Sequence, residues 1–236
     1  MSENIELSVV VLCYGAEKSI IPFSQNLKKE ISKHVDDFEI LLIGNYVESS
    51  SDTTPEIIEK IAQQDSTFKS ISKPKKGMMG WDVKVGLSAA KGEFICFIDG
   101  DGQFPINSIS ECYKKIKTGE FGLVKTYRSK RKDGLQRAAM SFVYNIVFKI
   151  LFPKVKARDI NSKPKIFRRD VYEKLNLTYD DWFIDAEIMI KTSSLSVKFY
   201  EFPIEFEQLA GRTSFVNLNT VLEFIRNLIS YKINHK

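Results

Sequence analysis

The 236-residue sequence contains few cysteines and histidines, and this scarcity excludes several kinds of site. Its three cysteines, Cys13, Cys96 and Cys112, form no C-x-x-C pair, and its two histidines are far apart in the chain. Structural zinc sites and disulfide frameworks need closer or more numerous ligands. Because Cys13 and Cys96 lie within apolar runs, we expect them to be small core residues in a reducing compartment.

Long apolar runs are also missing. The first seven residues are polar and acidic, whereas a secretory signal begins with a basic segment followed by an apolar one. No apolar run reaches the ~20 residues that a helix needs to cross a bilayer. We therefore expect a cytoplasmic protein, either free or peripheral on the cytosolic face of a membrane.

Apolar runs of strand length alternate along the chain with segments of helical periodicity, and no repeat or low-complexity linker interrupts them. We predict strands at residues 8–14, 39–43, 68–72, 93–98, 123–127, 165–167 and 197–204. We predict helices at residues 17–33, 54–64, 82–90, 106–117, 135–152, 170–175, 185–193 and 220–231. Because the early strands are apolar throughout, we expect an α/β fold with a mostly parallel central sheet and helices on both faces.

The absence of a linker predicts a single domain over residues 1–236. Within it we expect a nucleotide-binding half at residues 1–122, an acceptor half at 123–216 and a C-terminal amphipathic helix at 217–236.

Two carboxylates follow the fourth predicted strand, in the segment Asp99-Gly100-Asp101-Gly102-Gln103. Ligands of such sheets bind beyond the carboxyl ends of the strands, where Tyr14 and Asn45 also fall. Paired carboxylates repel each other unless a cation lies between them. A hard divalent cation would meet this need and could also bind a diphosphate. A tight surface turn, for which Asp and Gly are typical, is the alternative interpretation.

Taken in order, these segments resemble family 2 glycosyltransferases of the GT-A fold. More narrowly, they resemble the dolichol-phosphate mannose synthase and polyprenyl-phosphate glycosyltransferase group. The resemblance covers nearly the whole chain, and each segment is less specific than the ordered set. The matching segments are residues 8–17, 86–92, 97–105, 158–162, 165–169 and 183–187.

For the donor, the resemblance implies inverting transfer from a nucleoside diphosphate sugar. It implies that Asp99, Asp101 and Gln103 hold Mg or Mn. It also implies that Tyr14 and Glu17 border the nucleotide, together with Asp99.

Two departures from the family pattern concern the donor. The family usually has an aspartate pair after its second strand, where this chain has Gly44-Asn45 and then a longer loop. Asn45 can still hydrogen-bond a base or a ribose. Mannose synthases also carry an arginine near the end, where this chain has Gln208 with Arg212 close by. The identities of the sugar and the base therefore stay open.

Lysine and arginine far outnumber aspartate and glutamate between residues 123 and 170. Such a block suits a polyanion, whether nucleic acid, anionic lipid headgroups or a phosphorylated substrate, although a solvated surface without a partner is the alternative. Aromatic residues are scarce among the basic ones, which disfavours nucleic acid. The resemblance implies that a lipid phosphate is held by Arg128, Arg131, Arg137 and Ser141.

The chemistry depends on the acceptor. A phosphate is already ionised at neutral pH and needs no strong base, whereas a saccharide hydroxyl needs one. Asp185 and Glu187 are the candidate catalytic carboxylates. Alternatively, they stabilise the positive end of a helix.

The segment 135–152 has two apolar stripes and a narrow polar face. One stripe would suit a core-packed helix. The second stripe, with basic neighbours, favours contact with an anionic membrane surface, which leaves room for a membrane-protein partner.

Three alternatives to a polyprenyl-phosphate glycosyltransferase stay open. One is transfer to a saccharide hydroxyl in cell-surface polysaccharide synthesis, and another is a noncatalytic membrane-associated adaptor. A sugar nucleotidyltransferase is disfavoured because Gly15 is the only glycine between residues 9 and 17, where a phosphate-binding loop would need several.

Overall fold

The structure is a computed structural model that describes residues 5–131, 135–207 and 218–234. These residues form seven strands and eight α-helices. The strands are β1 Leu7–Leu12, β2 Phe38–Ile43, β3 Phe68–Ile71, β4 Phe94–Asp99, β5 Leu123–Arg131, β6 Lys165–Arg168 and β7 Phe199–Phe206. The helices are α1 Ile20–Ile31, α2 Thr54–Gln64, α3 Met79–Ala89, α4 Asn107–Ile116, α5 Leu135–Leu151, α6 Arg169–Leu175, α7 Ile184–Ser194 and α8 Leu218–Asn234.

All seven strands belong to one sheet, in the order β3-β2-β1-β4-β6-β5-β7. β1 pairs in parallel with β2 and β4, and β5 pairs in parallel with β7. β6 is antiparallel to both β4 and β5, so the remaining six strands all run in one direction. The prediction of a mostly parallel sheet is confirmed, and the reversed β6 is the feature that the pattern did not indicate.

Helices cover both faces of the sheet, as predicted. Along β1, Val10 packs into one hydrophobic cluster while Val9 and Val11 pack into the other, because successive side chains of a strand point to opposite faces. The first cluster includes residues of α3, α5, α7 and α8, and the second includes residues of α1, α2 and α4. All three cysteines are free and buried, which confirms the expected core position of Cys13 and Cys96.

The segment 86–92 brings α3 close to the sheet. A Cβ atom placed on Gly86 would lie 2.2 Å from Cγ1 of Val10, so a larger residue would push α3 away from β1. Gly86 thus lets α3 pack closely on the face of the sheet at β1.

The apolar stripes of α5 have separate surroundings. Tyr144 and Phe148 are buried, and the ring of Tyr144 contacts that of Phe224 on α8 at a centroid distance of 5.7 Å. Phe142 and Ile150 are 67% and 72% exposed. Among helices in the described ranges, none combines the length and hydropathy that a bilayer crossing requires.

Candidate active site

The acidic segment lies where three parallel strands end together. Leu12 of β1 is in register with Ile43 of β2 and with Asp99 of β4. The backbone N–H of Gly100 donates to the carbonyl of Leu12 at 2.9 Å, so the chain turns across the end of β1. Asp101 follows directly, beyond the edge of the sheet. The sequence prediction placed these carboxylates at a strand tip, and the structure confirms that position.

Hydrogen bonds hold this turn in place. One carboxylate oxygen of Asp101 accepts the backbone N–H of Gln103 at 2.9 Å. The side-chain amide of Gln103 donates to the carbonyl of Glu207 at 3.1 Å, and the N–H of Glu207 donates to the carbonyl of Gln103. The end of β7 therefore fixes the segment from the second half of the chain.

The oxygen atoms of this turn fit a hard divalent cation. Asp99 has 26% of its side chain exposed, and Asp101 and Gln103 are half-buried. Within the described ranges no cluster of three or more acidic, histidine or cysteine side chains has the arrangement of a metal site. Two carboxylates are nevertheless the usual protein contribution to Mg²⁺, which takes its other ligands from substrate phosphates and water.

Buried lysines surround these acids. The ammonium of Lys163 lies 3.3 Å from a carboxylate oxygen of Asp99 and 3.3 Å from one of Asp185. The other carboxylate oxygen of Asp185 accepts a hydrogen bond from Lys165. Burial opposes ionisation of Asp185, but the charges of Lys163 and Lys165 outweigh it and lower the pKa of Asp185. Burial lowers the pKa of Lys165 to about 8, against the attraction of Asp185.

A third buried lysine continues this network. Lys125 donates to the carbonyl of Asp159 at 2.6 Å and lies 3.4 Å from a carboxylate oxygen of Glu201. Arg128 binds both carboxylate oxygens of Asp159, at 2.6 and 2.9 Å. Although burial alone would raise the pKa of Asp159, the Arg128 charge holds it well below its usual range.

These contacts correct the interpretation of the basic segment as surface charge. Lys125, Lys163 and Lys165 are buried and neutralised inside the protein, because acidic residues of β7, of α7 and of the segment before β6 approach them. Fewer cations of this segment therefore face solvent than its composition suggests.

The predicted acceptor residues differ in what the structure describes. Arg128 contacts Asp159, while Ser141 lies on α5 and its carbonyl accepts the side-chain amide of Asn145 at 2.8 Å. The side chains of Arg131 and Arg137 lie outside the described residues, as do Gln208 and Arg212. The role of these residues in phosphate binding stays a prediction.

Tyr14, one of the residues predicted to border a nucleotide, faces a cation that was not among the predicted site residues. The ammonium of Lys75 lies 4.1 Å from the ring centroid of Tyr14 and 2.5 Å from a carboxylate oxygen of Asp82. Asn45 is fully buried, donates to Asp82 at 2.8 Å and accepts the N–H of Lys73 at 2.9 Å. Its direct contact with the nucleotide stays a prediction, and the contacts shown here position Asp82 and, through it, Lys75. The Lys-Pro-Lys-Lys-Gly run after β3 was the available signal.

A second missed residue is Asp52, at the end of the long loop after β2. Its carboxylate accepts the N–H of Gly15 at 3.1 Å and that of Thr54 at 3.0 Å. Thr54 in turn accepts the N–H of Glu17, whose φ is +46°. Asp52 thus ties the turn after β1 to the start of α2.

Glu187, the second candidate base, is fully buried in α7. Its carboxylate accepts the N–H groups of Thr178 and Tyr179, the Thr178 hydroxyl at 2.8 Å and the Lys191 ammonium at 2.7 Å. These contacts anchor the loop before α7. The catalytic role of Glu187 stays a prediction.

Comparison with known proteins gives a family match and several relatives. Residues 8–176 match the family described as glycosyl transferase family 2. The glycosyltransferase AglD of Haloferax volcanii is 23% identical over 216 residues, which are 86% of this chain and 33% of that protein. A dolichyl-phosphate beta-glucosyltransferase of Trichomonas vaginalis is 23% identical over 248 residues, covering 99% of this chain and 75% of the relative. The chain thus spans only a third of the first relative's length.

A solved structure shares the fold. The glucosyl-3-phosphoglycerate synthase from Mycobacterium tuberculosis, in complex with Mn²⁺, uridine diphosphate and phosphoglyceric acid, aligns with a TM-score of 0.71 at 16% identity. The alignment covers 98% of this chain and 78% of that one. It supports the predicted GT-A architecture.

Proposed function

The chain belongs to glycosyl transferase family 2, and on that premise we propose that it transfers a sugar, with inversion, from a nucleoside diphosphate sugar to a polyprenyl phosphate. The acceptor would be a dolichyl or undecaprenyl phosphate at the cytosolic face of a membrane. Residues 1–122 would bind the donor and residues 123–216 the acceptor, within one domain that ends in the helix at 217–236. The dolichyl-phosphate activity named for the Trichomonas relative supports this acceptor class.

The residues proposed to bind the donor lie at the carboxyl ends of the parallel strands. Asp99, Asp101 and the amide oxygen of Gln103 would hold Mg or Mn, which when bound would neutralise charge on the leaving nucleoside diphosphate. Tyr14 and Lys75 form one wall beside this edge, and a ring with a cation above it suits a base and a phosphate. Glu17 lies in the turn after β1, where Thr54 accepts its backbone N–H. Asn45 approaches the same turn indirectly, because it donates to Asp82, which pairs with Lys75.

One observation carries the choice of a phosphate acceptor: Asp185 is held between two lysine ammonium groups. A carboxylate stabilised in this way is a weak base, because taking up a proton would break both ion pairs. A saccharide hydroxyl needs a base in the transition state, whereas an ionised phosphate needs only cations to hold it. We therefore propose that Asp185 orients Lys163 and Lys165, and that Glu187 holds the loop before α7.

Membrane contact would bring such an acceptor to the site. The row of Phe142, Ile146 and Ile150 on α5 is exposed, as are Ile229 and Ile233 on the neighbouring α8. The exposed lysines at 149, 154 and 156 adjoin α5. An apolar row beside basic residues matches an interface helix on anionic lipid.

The direct test is a transfer assay with a panel of radiolabelled nucleoside diphosphate sugars. Vesicles containing dolichyl or undecaprenyl phosphate would serve as the acceptor, with Mg²⁺ or Mn²⁺ present. We expect label in the lipid extract from at least one donor, and none with Asp101→Asn. Transfer to an added saccharide instead of the lipid would contradict the proposed acceptor, and no transfer to either would favour a noncatalytic adaptor.

A further inference from the structure

Lys163 has an unusual position for a lysine next to a metal-binding segment. Its ammonium lies 3.3 Å from Oδ2 of Asp99 and 3.3 Å from Oδ2 of Asp185, with the sulfur of Met79 at 3.4 Å. Only 5% of its side chain is exposed. Little water therefore screens its charge, and the ammonium depends on these two carboxylates for its stabilisation.

Asp185 keeps this ammonium in place. It is itself buried, and its second oxygen is bound by Lys165. The carboxylate is thus fixed from the side opposite Lys163. A divalent cation that bound Asp99 in place of Lys163 would still leave the ammonium held at Asp185, close to the bound cation.

A divalent cation at Asp99 would therefore meet two obstacles. It would compete with Lys163 for the same carboxylate, and it would lie near a positive charge that cannot move far into solvent. In a poorly solvated site, repulsion between like charges is strong. A nucleoside diphosphate brings negative oxygens that can bind both the cation and the ammonium, which removes the repulsion.

We propose that Lys163 is a built-in counter-ion for Asp99 that makes binding of the divalent cation dependent on the nucleoside diphosphate. The inference rests on the donor site of the proposed function. It assigns a specific consequence to Lys163: a low affinity for the cation alone, and cooperative binding of cation and nucleotide.

The test is a titration of the full chain with Mn²⁺, in which electron paramagnetic resonance measures the free ion. Titrations are run with Mn²⁺ alone and with uridine or guanosine diphosphate present. For the wild type we expect the nucleotide to tighten Mn²⁺ binding about tenfold or more. For Lys163→Met we expect Mn²⁺ alone to bind about tenfold more tightly than to the wild type.

Two controls separate charge at this position from charge in general. Lys163→Arg keeps the cation and should retain the weak binding of Mn²⁺ alone. Lys114→Met removes an exposed lysine of α4 and should match the wild type. Lys163→Gln replaces Lys163→Met if melting shows that the methionine variant is unfolded.

The outcomes distinguish the inference from the proposed function. If folded Lys163→Met and Lys163→Gln bind Mn²⁺ no more tightly than the wild type, the counter-ion role is wrong, while nucleotide-dependent binding would still support the donor site. If the wild type binds no Mn²⁺ in the presence of uridine diphosphate and none in the presence of guanosine diphosphate, the donor site itself is contradicted.

Discussion

Asp159 shows how a single buried carboxylate couples the fold to pH. Its two oxygens bind Arg128, and Lys125 donates to its carbonyl. Burial would raise its pKa, but the Arg128 charge dominates and the pKa in the folded protein is lowered. Because the folded pKa lies below the unfolded value, this carboxylate stabilises the fold above about pH 4 and loses that contribution as the pH falls further.

We therefore predict that Asp159→Asn lowers the free energy of unfolding by about 3 kcal/mol at pH 7, since it leaves Arg128, whose side chain is only 10% exposed, without this carboxylate. The difference from the wild type should shrink as the pH falls below about 4, because there the carboxylate of the unfolded chain takes up a proton while that of the folded protein stays ionised. Urea unfolding at pH 7, 4 and 3 measures this. A difference that is equal at all three values would contradict the assignment.

A structural role and a catalytic role for Glu187 predict different effects of substitution. Its carboxylate binds two backbone N–H groups, a hydroxyl and an ammonium. Glu187→Gln keeps one acceptor oxygen and removes the charge that faces Lys191, so we expect a loss of about 1–3 kcal/mol in the free energy of unfolding. Binding of Mn²⁺ and nucleotide should be unchanged in the folded fraction.

The control for this variant is Glu173→Gln on α6, which removes an exposed carboxylate and should leave stability nearly unchanged. If Glu187→Gln is as stable as the wild type but loses turnover by orders of magnitude, Glu187 is the base after all, and a hydroxyl acceptor follows.

Some site residues could be recognised from their neighbours in the sequence, and others could not. Asp99 and Asp101 were predictable because a buried strand and two glycines flank them in the sequence. The burial of Lys163 was not, because it depends on Asp99 and Asp185, which are distant in the sequence. A lysine in a basic run carries no local signal that distinguishes a solvated side chain from a paired one.

Among the elements, every strand was predicted close to its observed position. The direction of β6 was not predicted. The run at 165–167 has the composition of a strand, but only its partners β4 and β5 make it antiparallel. β5 continues to Arg131 rather than ending near residue 127, because β7 pairs with it as far as Phe206. Pairing partners, which lie far away in sequence, decided both features.

α5 has one buried and one exposed apolar stripe. Its buried stripe packs on α8, and its exposed row consists of Phe142, Ile146 and Ile150. We predict that Phe142→Glu combined with Ile150→Glu weakens binding to vesicles that contain anionic lipid by about tenfold or more, because both apolar side chains are lost from the interface. Flotation of the protein with vesicles measures the bound fraction.

The matched control is Ile21→Glu on α1, which also removes an exposed apolar side chain but belongs to the helix layer on the other face of the sheet. It should bind vesicles as the wild type does. Equal binding by the α5 double variant and the wild type would remove the interface role of α5.

For the molecule as a whole, one sheet joins the proposed donor half to the proposed acceptor half. β4, which ends at Asp99, pairs with β6, which follows Lys163, and the end of β7 bonds to Gln103. Asp99 and Asp101 therefore come from the first half, Lys163 and Asp185 come from the second, and they meet at the carboxyl end of β4. In the proposed function, the anionic donor and the anionic acceptor would therefore lie on either side of Asp99.

In the proposed function, Asp99 and Asp101 bind a nucleoside diphosphate through a divalent cation. Calorimetric titration with uridine and guanosine diphosphates, with and without Mn²⁺, tests it on the wild type and on Asp101→Asn. We predict that one nucleotide binds the wild type about tenfold or more tightly with Mn²⁺ than without it, and that Asp101→Asn abolishes this gain. Binding that is indifferent to Mn²⁺, or equally enhanced in the variant, would contradict the account.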